Sequence, residues 1–247
     1  MDRGLWISWY DLPADGRDAY CKWVNEKYIP KILKHKGVLY GAHYASDGEP
    51  PASRLKHTPD ASVPTGNEFI LVFGGETAQV FSHGKEKYIS GAPARLEADL
   101  TDEDRTMLAL RKNLRVCIMA EVARRDGPEA ATRKGVSLSP CMQLGTFNAE
   151  SSGAHEDELL TWYADWRFDA LGKLPGCVAI RQIVSVSGWA KHGVLYEFTS
   201  RAARDEHFPH MRKMYPVEGA WTDKCTPRLN HTPHSPIVSH QLFQAVK

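Results

Sequence analysis

Leu12 to Tyr44 reads LPADGRDAYCKWVNEKYIPKILKHKGVLYGAHY, and Thr146 to Ile183 reads TFNAESSGAHEDELLTWYADWRFDALGKLPGCVAIRQI. Trp23 and Trp162 stand 139 residues apart (162 − 23), and so do Gly37 and Gly176 (176 − 37). Each segment carries a polar and aromatic amphipathic helix that a glycine ends before a strand begins, so one structural unit is written twice. In the first copy Tyr20, Trp23, Val24, Tyr28, Ile32 and Leu33 recur at steps of three and four, and Asp15 or Asp18 is placed to cap the helix. Pro30 predicts a kink or break one turn earlier, because it has no amide proton to donate. Gly37 supplies the C-terminal cap.

Outward from these units, Leu5–Tyr10, Val38–Tyr44, Glu68–Phe73 and Arg115–Val122 read as strands of the first half. Glu76–His83 reads as a short helix and Thr101–Asn113 as a longer one, acidic at its start and basic at its end, with Thr101 and Asp104 at capping-box spacing. The second half repeats the order: strands at Met142–Phe147, Cys177–Ser185, Gly193–Phe198 and Ile237–Ala245, helices at His155–Lys173 and Arg201–Met211. Each half is therefore βαββαβ. This predicts an α+β chain of two domains, 1–126, with insertions near 45–67 and 84–113, and 127–247. Ala45–Asn67, rich in Pro, Gly and Ser, is long for an internal connection and reads as a lid or excursion, whereas the second copy makes the same step with Ser185–Lys191.

The 247 residues are 42% hydrophobic and 25% charged, with a formal net charge of +1, which gives no electrostatic pull towards nucleic acid or an anionic membrane. No apolar run reaches the roughly 18 to 20 residues that span a bilayer, and the start, MDRGLWISWYDLP, lacks the regions of a signal peptide. A cytoplasmic location is expected. Cys21, Cys117, Cys141, Cys177 and Cys225 are odd in number and widely spaced, which argues against a disulfide framework and for small core residues. GxGxxG, P-loop, GxSxG and HExxH patterns are absent, so nucleotide, serine-hydrolase and zinc-peptidase readings have no motif support.

Trp162, Tyr163, Leu171, Leu174, Pro175, Gly176 and Arg181, with Trp23, Ile32, Leu33 and Gly37 as a weaker first copy, resemble the dimeric α/β-barrel superfamily of ferredoxin-like domains, nearest its EthD-like branch. The resemblance implies tandem ferredoxin-like domains whose antiparallel sheets pack face to face into one barrel, with helices outside and a ligand cavity on the inner faces. It implies a homo-oligomer, most simply a dimer. Members similar to this chain include cofactor-free monooxygenases, muconolactone-type isomerases, polyketide cyclases and lyases, and tandem haem proteins similar to chlorite dismutase. Function must therefore come from the site.

Polar side chains inside strands are the informative ones, since alternation should bury them. Arg181 alternates with Ala179 and Ile183, Glu197 with Leu195, and Glu121 with Cys117 and Met119. Arg181 is read either as a buried ion pair with Glu197 or Glu121 or as the anchor of an anion or enolate. His43 is the candidate base, since a neutral imidazole can accept a proton near pH 7, and Tyr10 a hydrogen-bond donor at a strand end. Asp11, Tyr40, Glu121, Glu197 and His57 complete the set as substrate-binding candidates. The HxxH pairs His207/His210 and His231/His234 read as surface or loop histidines rather than metal ligands, because Pro209 and Pro233 disturb their spacing. The expected function is a small-molecule enzyme without bound metal or other cofactor. It would act by proton transfer (isomerisation, cyclisation, elimination or cofactor-free oxygenation) on an aromatic, polyketide-like or lactone-like compound. The alternatives are a haem protein with His192 or His210 as axial ligand, and a non-catalytic metabolite-binding or structural barrel.

Overall fold

Alternation along the first strand, GLWISWYD, already divides the molecule into layers: Leu5, Ile7 and Trp9 join one buried cluster, Trp6 and Tyr10 another. A computed structural model describes residues 1–48, 55–81, 100–150 and 153–247. The strands are β1 (Gly4–Asp11), β2 (Val38–Ser46), β3 (Lys56–His57), β4 (Phe69–Gly75), β5 (Lys112–Asp126), β6 (Cys141–Ala149), β7 (Cys177–Ser187), β8 (His192–Phe198), β9 (Leu229–His231) and β10 (Ile237–Val246). They run in the order β10-β2-β4-β1-β5-β7-β8-β6, and β6 pairs back to β10, closing an eight-stranded antiparallel barrel. Within each half the order is that of a ferredoxin-like domain, and the two seams, β5–β7 and β10–β2, join the halves.

The helices are α1 (Arg17–Trp23), α2 (Ile29–Ile32), α3 (Asp102–Leu108), α4 (Gly153–Thr161), α5 (Phe168–Leu171), α6 (Arg201–His207), α7 (Met211–Met214) and α8 (Pro216–Cys225). α1 passes through a π-helical turn, Val24–Tyr28, into α2, and α4 passes through another, Trp162–Arg167, into α5. The second copy has Asp169 where the first has Pro30. The widened turn thus belongs to the repeated unit and is not a kink made by proline. Both copies end on a left-handed glycine, Gly37 at φ 86 and Gly176 at φ 79, as the repeat requires.

Other local expectations need correction. Gly16, in the left-handed region, precedes α1 without any side-chain cap, so neither Asp15 nor Asp18 serves there. The Thr101–Asp104 capping box is present, but α3 stops at Leu108, and Lys112 and Asn113 belong to β5, where Lys112 pairs with Asp11. Cross-strand pairing overrides helix propensity at this end. Of Glu76–His83 the described residues hold one 3₁₀ turn, Ala78–Phe81, and of the insertion expected near 84–113 the stretch 84–99 lies outside the described residues. In the other insertion the described part includes β3, which adds in parallel to β9 and so extends the second half's sheet with a piece of the first.

Candidate functional site

Three buried clusters fill the molecule: one inside the barrel and one between sheet and helices in each half. Inside the barrel, Leu5, Ile7, Trp9, Tyr40, Tyr44 and Ile183 are at most 1% exposed. Eight strands enclose a space that side chains can fill, and here they do. Among the described residues, core therefore stands on the inner faces where a ligand cavity was expected.

The cavity lies instead on the outer face of the second half's sheet, beneath its helices, with a volume of about 770 Å³. Phe147, Trp162, Tyr163, Tyr196 and Phe208 supply aromatic walls. Gly145, on the outward parity of β6, helps keep it open: a Cβ there would lie 3.5 Å from Val194 Cγ1 and 3.6 Å from the Pro236 Cβ, ordinary contacts that leave the space beyond free. Leu55, from the first half's insertion, forms part of the wall, so β3 brings one half to the cavity of the other.

Arg167, at the end of the second π turn, is 7% exposed and lines this cavity. Its Nη1 donates to Glu218 Oε1 at 2.7 Å and its Nε to the Tyr196 hydroxyl at 3.1 Å. The guanidinium carbon lies 5.3 Å from the Trp162 ring centroid, 5.1 Å from that of Tyr196 and 5.3 Å from that of Phe208. Burial works against its charge, but Tyr196 and Glu218 outweigh burial and raise its pKa, so it stays a cation. Burial, with Tyr196 beside it, pushes the Tyr163 phenol well above its ordinary value, so it stays protonated. His231, also in the wall, is pushed down to about 4, chiefly by burial, and is a neutral imidazole at pH 7. Arg204 is fully engaged, with Nε and Nη2 on Gln143 Oε1 at 3.0 and 2.6 Å and Nη1 on Asp205 at 2.6 Å. This arrangement can hold a flat organic molecule between aromatic faces and present a fixed cation to it.

The residues singled out from the sequence lie elsewhere. Tyr10 and His43 do meet, with the Tyr10 hydroxyl 3.0 Å from His43 Nε2 and Asn25 Oδ1 3.0 Å from His43 Nδ1. They face the packed helix layer of the first half, and burial, with Arg111 nearby, depresses the His43 pKa to about 3. A base so weak is a poor proton acceptor at neutral pH. Arg181, 1% exposed, donates to Glu121 Oε2 at 2.6 Å and to Asp2 Oδ2 at 2.8 Å, and Tyr40 donates to Asp2 at 3.0 Å. The ion-pair reading of Arg181 holds, with Glu121 as partner. Its carboxylate partners leave it no role as an anchor in the described cavity. Glu197 accepts from Arg133, the Ser139 amide and the Ser139 hydroxyl, and so ties the inter-domain segment to the barrel. Asp11 holds the Asn67 and Glu68 amides and Asn113 Nδ2. His57 Nε2 lies 2.8 Å from the Ser235 carbonyl oxygen, pinning the insertion beside the cavity rather than lining it. Among the described residues no three or more His, Cys, Asp or Glu side chains are grouped to hold a metal ion.

The two histidines expected as haem ligands in the alternative reading lie outside this cavity as well. His192 is buried with Nε2 3.1 Å from Glu156, His210 is exposed, and neither lines the cavity. Arg167 and Tyr196, which line the cavity, are not among the residues that strand alternation singles out. The 139-residue offset pairs Arg167 with Tyr28, so a cation facing an aromatic at matched positions was readable as a departure between the copies.

No family model and no curated protein matches the sequence. Solved structures do. A monooxygenase candidate from Fusobacterium nucleatum superposes with a TM-score of 0.59 at 10% identity, covering 100% of this chain and 95% of that one. An anthrone oxidase-like protein gives 0.59 at 8% identity, covering 99% and 93%. Chlorite dismutase from Candidatus Nitrospira defluvii, in complex with imidazole, gives 0.50 at 9% identity, covering 96% and 90%. Among the described residues no helix is long and apolar enough to cross a membrane. With the closed barrel and its two ferredoxin-like halves, these superpositions show that the chain shares the α/β-barrel fold of those proteins.

Proposed function

We propose that the protein is a small-molecule enzyme that binds a planar aromatic or polyketide-like compound in the second half's cavity, where an acidic carbon of that compound gives up a proton to solvent and the carbanion left behind is stabilised by the site. The observation that carries this reading is the cavity of about 770 Å³, walled by aromatic rings with the Arg167 cation fixed among them. A delocalised carbanion places negative charge on an oxygen, and a preorganised cation stabilises charge as it develops. Oxygenation is the version that the likeness to monooxygenase and anthrone oxidase-like folds favours. Such a reaction needs no further reductant: one anthrone CH2 and one O2 give one quinone carbonyl and one water, the carbanion supplying the electrons.

The test is oxygen uptake and quinone formation with anthrone, comparing the natural protein with Gly145→Leu, whose side chain would occupy the cavity, and with Gly145→Ala, which the surrounding contacts accommodate. Turnover above the buffer rate that falls at least about tenfold in Gly145→Leu, with Gly145→Ala near normal, is expected. Turnover that Gly145→Leu leaves untouched would move the chemistry out of this cavity, and no acceleration of anthrone oxidation would reject the oxygenase version.

A further inference from the structure

The repeat places Arg167 at the position of Tyr28, and the two side chains meet different surroundings. In the first half Tyr28 is wholly buried, stacked on Trp23 with ring centroids 4.8 Å apart, and the guanidinium over its ring comes from Arg111, just before β5. In the second half the helix itself provides the guanidinium, and the cavity lies against it. Arg167 spends Nη1 on Glu218 and Met211 and Nε on Tyr196. Among the described residues its Nη2 has no hydrogen-bond partner. The neighbouring cations are committed: all three nitrogens of Arg204 are used, and Arg212 is paired with Asp223 at 2.7 Å. A buried guanidinium normally satisfies its donors, and an unused one beside a cavity is a place for an acceptor.

We infer that Arg167 Nη2 anchors an anionic oxygen of the ligand, so that the cavity takes planar aromatic acids or oxyanions, with Glu218 and Tyr196 as positioning residues that hold the guanidinium in place. This inference rests on the cavity reading above and names the ligand's chemistry. The ring of such a ligand would lie along the Trp162, Tyr196 and Phe208 faces that already frame the arginine. The oxygen would take the guanidinium donor that the described residues leave unused, next to the Trp162 indole N–H, which is also without a partner among them. Glu218 makes the arrangement directional: with Oε1 on Nη1, and also accepting from Thr222, it fixes the plane of the guanidinium. Glu218 does not line the cavity, which leaves ligand contact to the arginine.

The test uses two probes of one shape, 2-naphthoate and 2-naphthamide, titrated calorimetrically into the full chain at neutral pH. Naphthoate should bind about tenfold or more tighter than the amide. Arg167→Met alone would leave Glu218 as an unpaired buried carboxylate and risks unfolding. The informative protein is therefore the double variant Arg167→Met/Glu218→Gln, which removes both charges together. It should lose the preference for naphthoate, binding the acid no more tightly than the amide. Arg167→Lys should keep part of that preference, because the cation survives while the planar fork does not. Equal binding of the two probes by the natural protein, or a naphthoate preference that persists in the double variant, overturns the anchor while leaving the cavity standing. Failure of both probes to bind, or binding that Gly145→Leu does not disturb, overturns the cavity reading and the anchor with it.

Discussion

The two layers between sheet and helices follow one plan and reach opposite ends. In the first half, Tyr10, Tyr20, Trp23 and Tyr28 form a chain of ring contacts, edge-to-face, tilted and then stacked, with centroid separations of 5.7, 5.5 and 4.8 Å, and α3 closes the side, its Asp104 accepting from the Trp23 indole at 3.3 Å. In the second half the same offset puts Leu159 where Tyr20 is and Arg167 where Tyr28 is, and α6, α7 and α8 enclose a cavity where the first half has rings. A large aromatic exchanged for a smaller apolar residue, and a second for a cation, removes volume and adds charge at one place. A filled layer stabilises by burying area; an open layer gives up part of that burial and gains a place to bind. The difference between the halves thus leaves the first layer packed as core and the second open as the candidate site.

The largest effect should come from opening the closed layer. Tyr28→Ala deletes a fully buried ring in contact with Trp23 and Phe73 and should cost about 3–5 kcal/mol, the range for large aromatic truncations in a core. Phe208→Ala, at a half-buried ring that already borders empty space, should cost only about 1–2 kcal/mol. Urea denaturation of both variants measures the contrast. Equal losses would mean that the second layer is packed as tightly as the first and that the cavity is not a lasting feature of the fold.

The fold was legible because it is carried by periodicity. Alternation in LWISWY, the helix stripe from Tyr20 to Leu33 and the glycines at 37 and 176 are each local patterns with one structural solution, and their repetition fixes the two-fold plan. The site was not legible by the same means. Arg181 and His43 stood out because a polar residue inside a strand should be costly, yet both costs are met within the protein, by Asp2 and Glu121 for one and by Tyr10 and Asn25 for the other. A strand pattern says that a side chain is buried; it does not say which face has room. Asp2, close to the start of the chain and outside any motif, neutralises Arg181 through a contact 179 residues away in sequence, and no short-range pattern encodes that. Arg167 sits on a helix otherwise rich in charged residues and looks solvated until Tyr196 and Glu218, both from later elements, close around it.

His43 offers a sharper comparison of the halves, because the offset pairs it with Gln182, which cannot titrate in this range. Burial first, and then Arg111, depress the folded-state pKa of His43 from 6.5 to about 3. Below pH 6.5 the unfolded chain takes up a proton that the folded chain refuses, so the stability His43 contributes is complete above pH 6.5 and declines as pH falls towards about 3. His43→Gln, which writes the second half's residue into the first, should remove this component. Between pH 6 and pH 4 the natural protein should lose stability faster than the variant, by about 1.4 kcal/mol per pH unit for one proton. His231, depressed to about 4, is present in both proteins and cancels in the difference. Denaturation curves at a series of pH values decide it, and parallel profiles would show that His43 is protonated in the folded layer.

The smallest contrast lies where each helix meets its flanking segment. Lys27 pairs with Glu103 of α3 at 2.7 Å, both side chains at least half exposed, while the matched position, Trp166, stacks on Trp221 of α8 with centroids 6.4 Å apart. An exposed ion pair gains little over hydration and is screened by salt, whereas an aromatic pair adds about 0.5–1.5 kcal/mol beyond the area it buries. Lys27→Ala should therefore change stability by less than about 0.5 kcal/mol, and that change should vanish in 1 M salt. Trp166→Ala should cost about 1 kcal/mol or more at any ionic strength, because nothing in a ring stack is screened. A salt-sensitive loss at Trp166, or a salt-independent one at Lys27, would mean that the two flanks are held by the same kind of force and that the halves differ only in the layer beneath them.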